Sequence, residues 1–507
     1  MSAQKASPEK IDLVLGLGGR LGEKPSVELI GTAFTEELNA QRVLFSGMDL
    51  ADIAYVIQLT ETGVVPEKDG AELLAALLEL RAVGNEFVSD PALGDLYTNR
   101  EDWLSDKTAA AGWLGVGRAR RESATTAFQI VIRRELLNLS ASLCALGGAL
   151  ADKAEAHRDT VMPDYTYLQA AQPTTFGHYL LSFAFPILRD LERIQAMYSR
   201  VNKCPSGCGS ANGSVVVKDR DRLAILMGFD GIVDHARDAM WQTDLPIEAL
   251  SVVVACLVNL DRLAEDLMVF SSVEFGVITL ADAHARSSKI MPQKKNPFAL
   301  SYIRGLANRA IGVQASLAAA GRTPSGQMDN RMFAYGDTPN MISLNEGAAR
   351  LMAAVVKGLS IDSSRAEALC EENFSIASDL AEMVVREAEL DYRTAHRLVG
   401  WLSRDVFQKQ RRVSDITSKD LDRAAEETIG KSLGIDPKIL QTALDPRQAI
   451  ANRDGPGGAA PEPLAAMINS IREGVGEFEA WYQMSRKRDA KSEIGLLEIA
   501  ESIARRA

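Results

Sequence analysis

The segment Arg286-Ser-Ser-Lys-Ile-Met-Pro-Gln-Lys-Lys-Asn-Pro297 concentrates side chains that can do chemistry. Ser287 and Ser288 stand a few residues before Lys294 and Asn296, on a stretch broken by two prolines. A serine hydroxyl acts as a base only when ionised, so it needs backbone N–H groups or cations around it. Lys294 supplies a full positive charge, worth ~4 kcal/mol to an anion at ~4 Å and an effective dielectric of ~20. Asn296 supplies a neutral donor, and a preorganised donor of that kind contributes ~3 kcal/mol to a transition state. A base beside fixed donors suits proton abstraction next to a carboxylate, where negative charge develops on oxygen. The plainer alternative has both serines shaping a turn, and the Lys and Asn at this spacing weigh against it. His284, four residues before Ser288, invites a role as well, but a lone His is more often structural.

The elements that must carry this loop are helical. Between Val252 and Phe270, apolar Leu257, Leu260, Leu263, Ala264, Leu267 and Met268 alternate with Asp261, Arg262, Glu265 and Asp266 in a wide stripe that predicts a helix–helix interface. Phe176 to Met197 reads the same way, with a kink expected at Pro186. Alternating strand patterns are scarce. Further loops are marked by Gly, Pro, Ser and Asn at Cys204 to Ser214, Gly321 to Pro339 and Asp454 to Pro463. A length of 507 residues suits about three domains. The net charge of −12 argues against a nucleic-acid partner, which would require a basic face. It does not exclude a dianion, because local charge decides that. Five cysteines in a long chain point to reduced thiols. The run Leu250 to Leu260 is too short to span a bilayer, so the cytoplasm is the default location.

The proline-bounded loop is similar to the signature of the fumarase/aspartase superfamily, Gly-Ser-Ser-x-Met-Pro-x-Lys-x-Asn-Pro, and its Met-Pro-Gln-Lys-Lys-Asn-Pro form resembles the argininosuccinate lyase branch. Gly115-Val-Gly-Arg-Ala-Arg-Arg-Glu122 and Met162-Pro-Asp-Tyr-Thr-Tyr-Leu-Gln-Ala-Ala-Gln-Pro173 resemble two further family motifs, and more matches follow in family order to Pro456-Gly-Gly458. The resemblance implies an all-α, three-domain fold with a long central bundle, divided here at residues 1–119, 120–370 and 371–507. It also implies a homotetramer whose active sites are shared between subunits. Counting back from Met291-Pro292 places the family's base at Ser288. Lys294, Asn296, Thr166, Gln169 and Arg120 fall on substrate-binding positions, and Asn99 fits a further motif near Asp95.

The departures bear on the amine half of the substrate. Tyr167 stands where the family has the His of a Thr-His pair, so the amine leaves with help from Tyr167 or unassisted. Tyr97 replaces another His. Arg121 follows Arg120 where the family has Asn, and the pair either holds an extra carboxylate or Arg121 faces solvent or an acidic neighbour at a subunit interface. In the segment Pro324 to Tyr335, Gln327 and Tyr335 stand in for a family Tyr and Lys that bind the amino-acid end of argininosuccinate. Past Glu477 the chain outruns the family's usual end, with Leu496, Ile499 and Ile503 at helical spacing, and this tail is expected to pack on its own tetramer.

The resulting expectation is a carbon–nitrogen lyase that eliminates fumarate reversibly from an N-substituted aspartate other than argininosuccinate. It would use no metal or organic cofactor, and its partners would be a small dicarboxylate and its own copies, without nucleic acid or membrane. Argininosuccinate lyase itself is the second reading. A non-catalytic tetrameric scaffold is the third; the two His-to-Tyr changes favour it and the intact Ser-Lys-Asn loop opposes it.

Overall fold

A computed structural model describes residues 14–17, 19–322 and 331–506. The chain is built almost wholly from helices, with three short two-stranded pairings. Five long helices form the centre: α4 (Arg120–Ala156), α5 (Phe176–Val201), α6 (Asp244–Phe270), α7 (Phe298–Ala320) and α8 (Arg331–Gly358). They run alternately up and down. Arg304 of α7 pairs with Asp261 and Glu265 of α6, and Asn259 of α6 bonds Asp190 of α5. Lengthwise contacts from Thr125–Tyr335 through Ser142–Glu346 to Lys153–Lys357 set α8 parallel to α4. Leu, Ile, Ala and Phe on the facing stripes fill one continuous core. Pro186 lies inside α5 without ending it.

Ahead of the bundle, α1 (Phe45–Glu61), α2 (Glu67–Val83) and α3 (Leu96–Ser105) form a second core with Ile53, Tyr55, Leu73 and Leu77. Among the described residues, the helical run Val27–Glu61 is long and apolar enough to cross a membrane by composition, where the sequence reading found no such stretch. Most of its apolar window (78%) is buried within the fold, so that hydrophobicity serves the core here. A third core unites α9 (Ala377–Ala388), α10 (Tyr392–Gln408) and α11 (Ser418–Ile429) through Leu380, Val384, Leu398, Leu402 and Leu421.

The final helix, α12 (Pro461–Ala504), departs from expectation. It leaves the third core, where the boundary at 371–507 would keep it, and returns along the bundle. Gly147 of α4 allows the approach, since a Cβ there would come within 2.8 Å of Val475. Its tail packs on its own chain: Leu496, Ala500 and Ile503 are buried in the N-terminal core, and Arg506 pairs with Glu67. Residues eleven helical turns apart in two cores are thereby joined by one rod. Truncating Leu496, 2% exposed, to Ala should cost about 2–5 kcal/mol, read as a lowered thermal midpoint with unchanged far-ultraviolet circular dichroism.

Candidate active site

The serine loop is a small hairpin. β3 (Arg286–Ser287) pairs antiparallel with β4 (Lys295–Asn296), and the Asn296 amide donates to the Arg286 carbonyl at 2.9 Å. The intervening turn folds onto Ser288, whose Oγ accepts from the backbone N–H of Met291 at 3.1 Å and of Ile290 at 3.4 Å. Hydrogen bonds to an oxyanion are worth about 1.5–3 kcal/mol each, so these donors favour the ionised hydroxyl. Arg286, Lys289, Lys294 and Lys295 lie within the same twelve residues, which contain no acid. Lys294 is exposed on the turn. Lys295 is anchored by Asp282 and the Leu280 carbonyl, each at 2.6 Å, and so holds the hairpin to the chain. His284 is packed against Gly358 beneath the hairpin.

Thr166, Tyr167 and Gln169 occupy the tip of a second hairpin, β1 (Val161–Thr166) with β2 (Gln169–Thr175). Thr166 and Gln169 face one another across a two-residue turn formed by Tyr167 (φ 55°) and Leu168 (φ 58°). Such turns favour Asn-Gly, because both positions take the left-handed conformation. Bulky residues there are strained, a feature that clusters at functional sites. The Tyr165 ring packs on Phe270 and Phe275 and fixes the hairpin to the end of α6. The neighbouring Tyr167 is 97% exposed. Among the described residues, no hydrogen bond or ion pair links this tip to the serine loop.

The arginine motif lies elsewhere. Arg120 opens α4, and its Nε sits 3.1 Å from Asp95 Oδ2. Arg121 pairs at 3.5 Å with Glu37, an acidic neighbour within the same chain rather than across a subunit interface. Glu122, missed as a site residue, is buried and accepts from the backbone N–H of Gly207 (2.7 Å) and Gly209 (2.6 Å). It thereby docks the Cys204–Ser214 loop against the start of α4. Burial raises its carboxyl, against the pull of those donors and of Arg118.

Two expected substrate contacts are spent internally. Asn99 is buried, donates to the Asp95 carbonyl (2.9 Å) and accepts from the Asp90 N–H (2.6 Å), so it braces the turn before α3. Tyr335 is fully buried against Phe128, with its hydroxyl 2.9 Å from Thr125 Oγ1. Helical phase turns it into the core, which corrects its reading as a stand-in for a substrate-binding lysine. Gln327 lies outside the described residues. Tyr97 is buried beneath Arg118, whose guanidinium lies 5.5 Å from its ring.

α4 separates the two groups. With 37 residues rising 1.5 Å each, it is about 55 Å long. Arg120, the Cys204–Ser214 loop and Tyr335 lie at its start. Its far end leads within five residues into the β1–β2 hairpin, and the serine loop follows the same end of α6. One chain therefore does not bring Arg120 to Ser288.

Residues 29–312 match a family model described as "Lyase", and residues 374–451 match "Argininosuccinate lyase C-terminal". Argininosuccinate lyase of Methanococcoides burtonii is 33% identical over 96% of this chain and 98% of its own length. That of Methanosarcina acetivorans is 34% identical over 89% and 91%. This chain belongs to the fumarase/aspartase superfamily, in its argininosuccinate lyase branch. A variant of EDDS lyase with bound fumarate superposes with a TM-score of 0.86, at 27% identity over 94% of this chain and 96% of its own. The protein is thus a carbon–nitrogen lyase.

The arginine end of this lyase rests on a buried ion network. Asp52, fully buried, accepts from Arg118 (2.6 Å), Arg100 (3.0 Å) and Ser123 (2.8 Å). Burial alone would raise its pKa, but Arg118 and Arg100 together outweigh burial and lower it. A depressed carboxyl stabilises the fold above its unfolded titration range, and the contribution is lost as pH falls. Asp52→Asn should therefore cost about 3–5 kcal/mol at neutral pH. In urea melts from pH 7 down to pH 3, its gap from the wild type should narrow.

Proposed function

We propose that this lyase releases fumarate from an N-substituted aspartate whose amine half is not that of argininosuccinate, and that it does so in sites shared between copies of the chain. The carrying observation is the Ser288 loop, where two backbone donors meet one hydroxyl in a segment rich in Lys and Arg. In this reading ionised Ser288 takes the proton from the carbon beside a carboxylate. The electron pair moves into that carboxylate, forming a dianionic aci-carboxylate, and then expels the amine as the carbon–nitrogen bond breaks. Lys294, Asn296, Thr166 and Gln169 stabilise the oxyanion, and Arg120 holds a substrate carboxylate. Tyr167, with an exposed hydroxyl that can donate, is the donor available to the departing amine.

The choice of amine half follows from the arginine end. Tyr335 brings no cation to it, and Arg121 carries its own acidic partner. The close fold of EDDS lyase, with fumarate bound, supports a fumarate site on this scaffold. Shared sites follow from the ~55 Å between the two groups. They are also supported by Phe298 and Tyr302, one helical turn apart, which expose apolar surface on one face of α7 as a face awaiting a partner would. Argininosuccinate remains the competing substrate, since the curated relatives carry that name.

The test is to supply argininosuccinate, and separately fumarate with a panel of amines, following fumarate absorbance and adduct mass. An adduct with another amine and no turnover of argininosuccinate is the expected result. Ser288→Ala should lower the rate about 10²–10⁴-fold. Turnover of argininosuccinate at an ordinary enzyme rate would overturn the substrate assignment, and an undiminished Ser288→Ala would overturn the base.

A further inference from the structure

We propose that Asp95 is a positioning residue that sets the angle at which Arg120 presents its guanidinium to the substrate carboxylate. The inference rests on the reading of Arg120 given above and concerns a residue to which that reading assigns no role.

Asp95 is held from several sides. It is 4% exposed and caps α3, with Oδ1 accepting from the Thr98 N–H at 2.9 Å and the Thr98 hydroxyl at 2.7 Å. The next residue is fixed too, because the Leu96 N–H donates to Gln41 Oε1 at 3.0 Å. Asn99 ties the Asp95 carbonyl into the same turn. The carboxylate therefore has one oxygen committed to the helix cap, and the other, Oδ2, forms an ion pair with Arg120 Nε at 3.1 Å.

Arg120 is the opposite kind of group. Its backbone is fixed as the first residue of α4, but its side chain is 52% exposed. A free arginine samples many rotamers, and a substrate would have to overcome that freedom on binding. An ion pair at Nε narrows that freedom by favouring the rotamers that keep the guanidinium beside Asp95. It leaves the two terminal nitrogens as a fork whose spacing matches a carboxylate. Among the described residues, Asp95 is the one acid in ion-pair contact with Arg120. A neutral residue at 95 would leave the cap usable and the charge of Arg120 undiminished, yet let the fork swing. Orientation, rather than attraction, is what Asp95 contributes.

The full-length protein and fumarate suffice for the test, with binding read by titration calorimetry. Asp95→Asn keeps a side-chain oxygen for the cap and should weaken fumarate about 10-fold. Thr98→Val removes a cap bond without touching Arg120. It should lower the thermal midpoint and leave fumarate affinity unchanged. Arg120→Lys should weaken fumarate on its own, and adding Asp95→Asn to it should cause no further loss, since the two act as one unit. Unchanged affinity in Asp95→Asn, or a full further loss in the double variant, would overturn the positioning role while leaving the carboxylate contact standing. Unchanged affinity in Arg120→Lys would overturn the carboxylate contact and the positioning role with it.

Discussion

The chemistry of this protein is governed by the length of one rigid rod. α4 carries Arg120 in its first turn and ends 36 residues later beside the β1–β2 hairpin. An α-helix does not shorten, so about 55 Å stand between the arginine group and the hairpin whatever the loops do. α5, α6, α7 and α8 run along that rod and inherit the same two ends. The serine loop falls at one end because α6 finishes there at Phe270, packed on Tyr165. The Cys204–Ser214 loop falls at the other because α5 has run back, and Glu122 then pins it with two backbone hydrogen bonds. Polar residues that look like one catalytic set along the sequence are thus exported to opposite poles. In the proposed reading, another copy of the chain brings them together.

Each pole is stiffened in its own way. At the arginine pole, Asp52, Arg100 and Arg118 form a buried network that fixes α1, α3 and the approach to α4. Such networks add little net stability over an apolar core but are costly to break on one side, which suits a platform that must hold its geometry. At the serine pole the devices are short-range: a two-residue strand pair, the Asn296–Arg286 clip and the Lys295–Asp282 anchor. A loop held by a few exposed contacts at its base can move over a substrate without disturbing the bundle.

Much of this was legible beforehand, for identifiable reasons. The stripe from Leu257 to Met268 has the helical period, and it is a bundle helix. Ser288 stands out as the proposed base because Lys294 and Asn296 follow it at a recognisable spacing. The arginine end was harder to read. Asn99 and Tyr335 look like site residues by their place in a motif, but helical phase turns both inward, and a motif carries no phase. Asp95 was visible as a motif landmark, and the Asp-x-x-Thr spacing of a helix cap was the signal that could have marked it. The C-terminal tail could be recognised as amphipathic, but the surface it covers, built from residues some 400 positions earlier, is a tertiary fact.

The most direct test of the shared site is complementation. Arg120→Ala and Ser288→Ala each damage one pole and leave the other intact. Each purified variant should be inactive alone, and after the two are dissociated together and reassembled, fumarate release should return to a fraction of the wild-type rate, because some mixed sites draw both intact poles from different copies. Reassembled mixtures that form mixed oligomers by mass and yet remain as inactive as either parent would contradict the account.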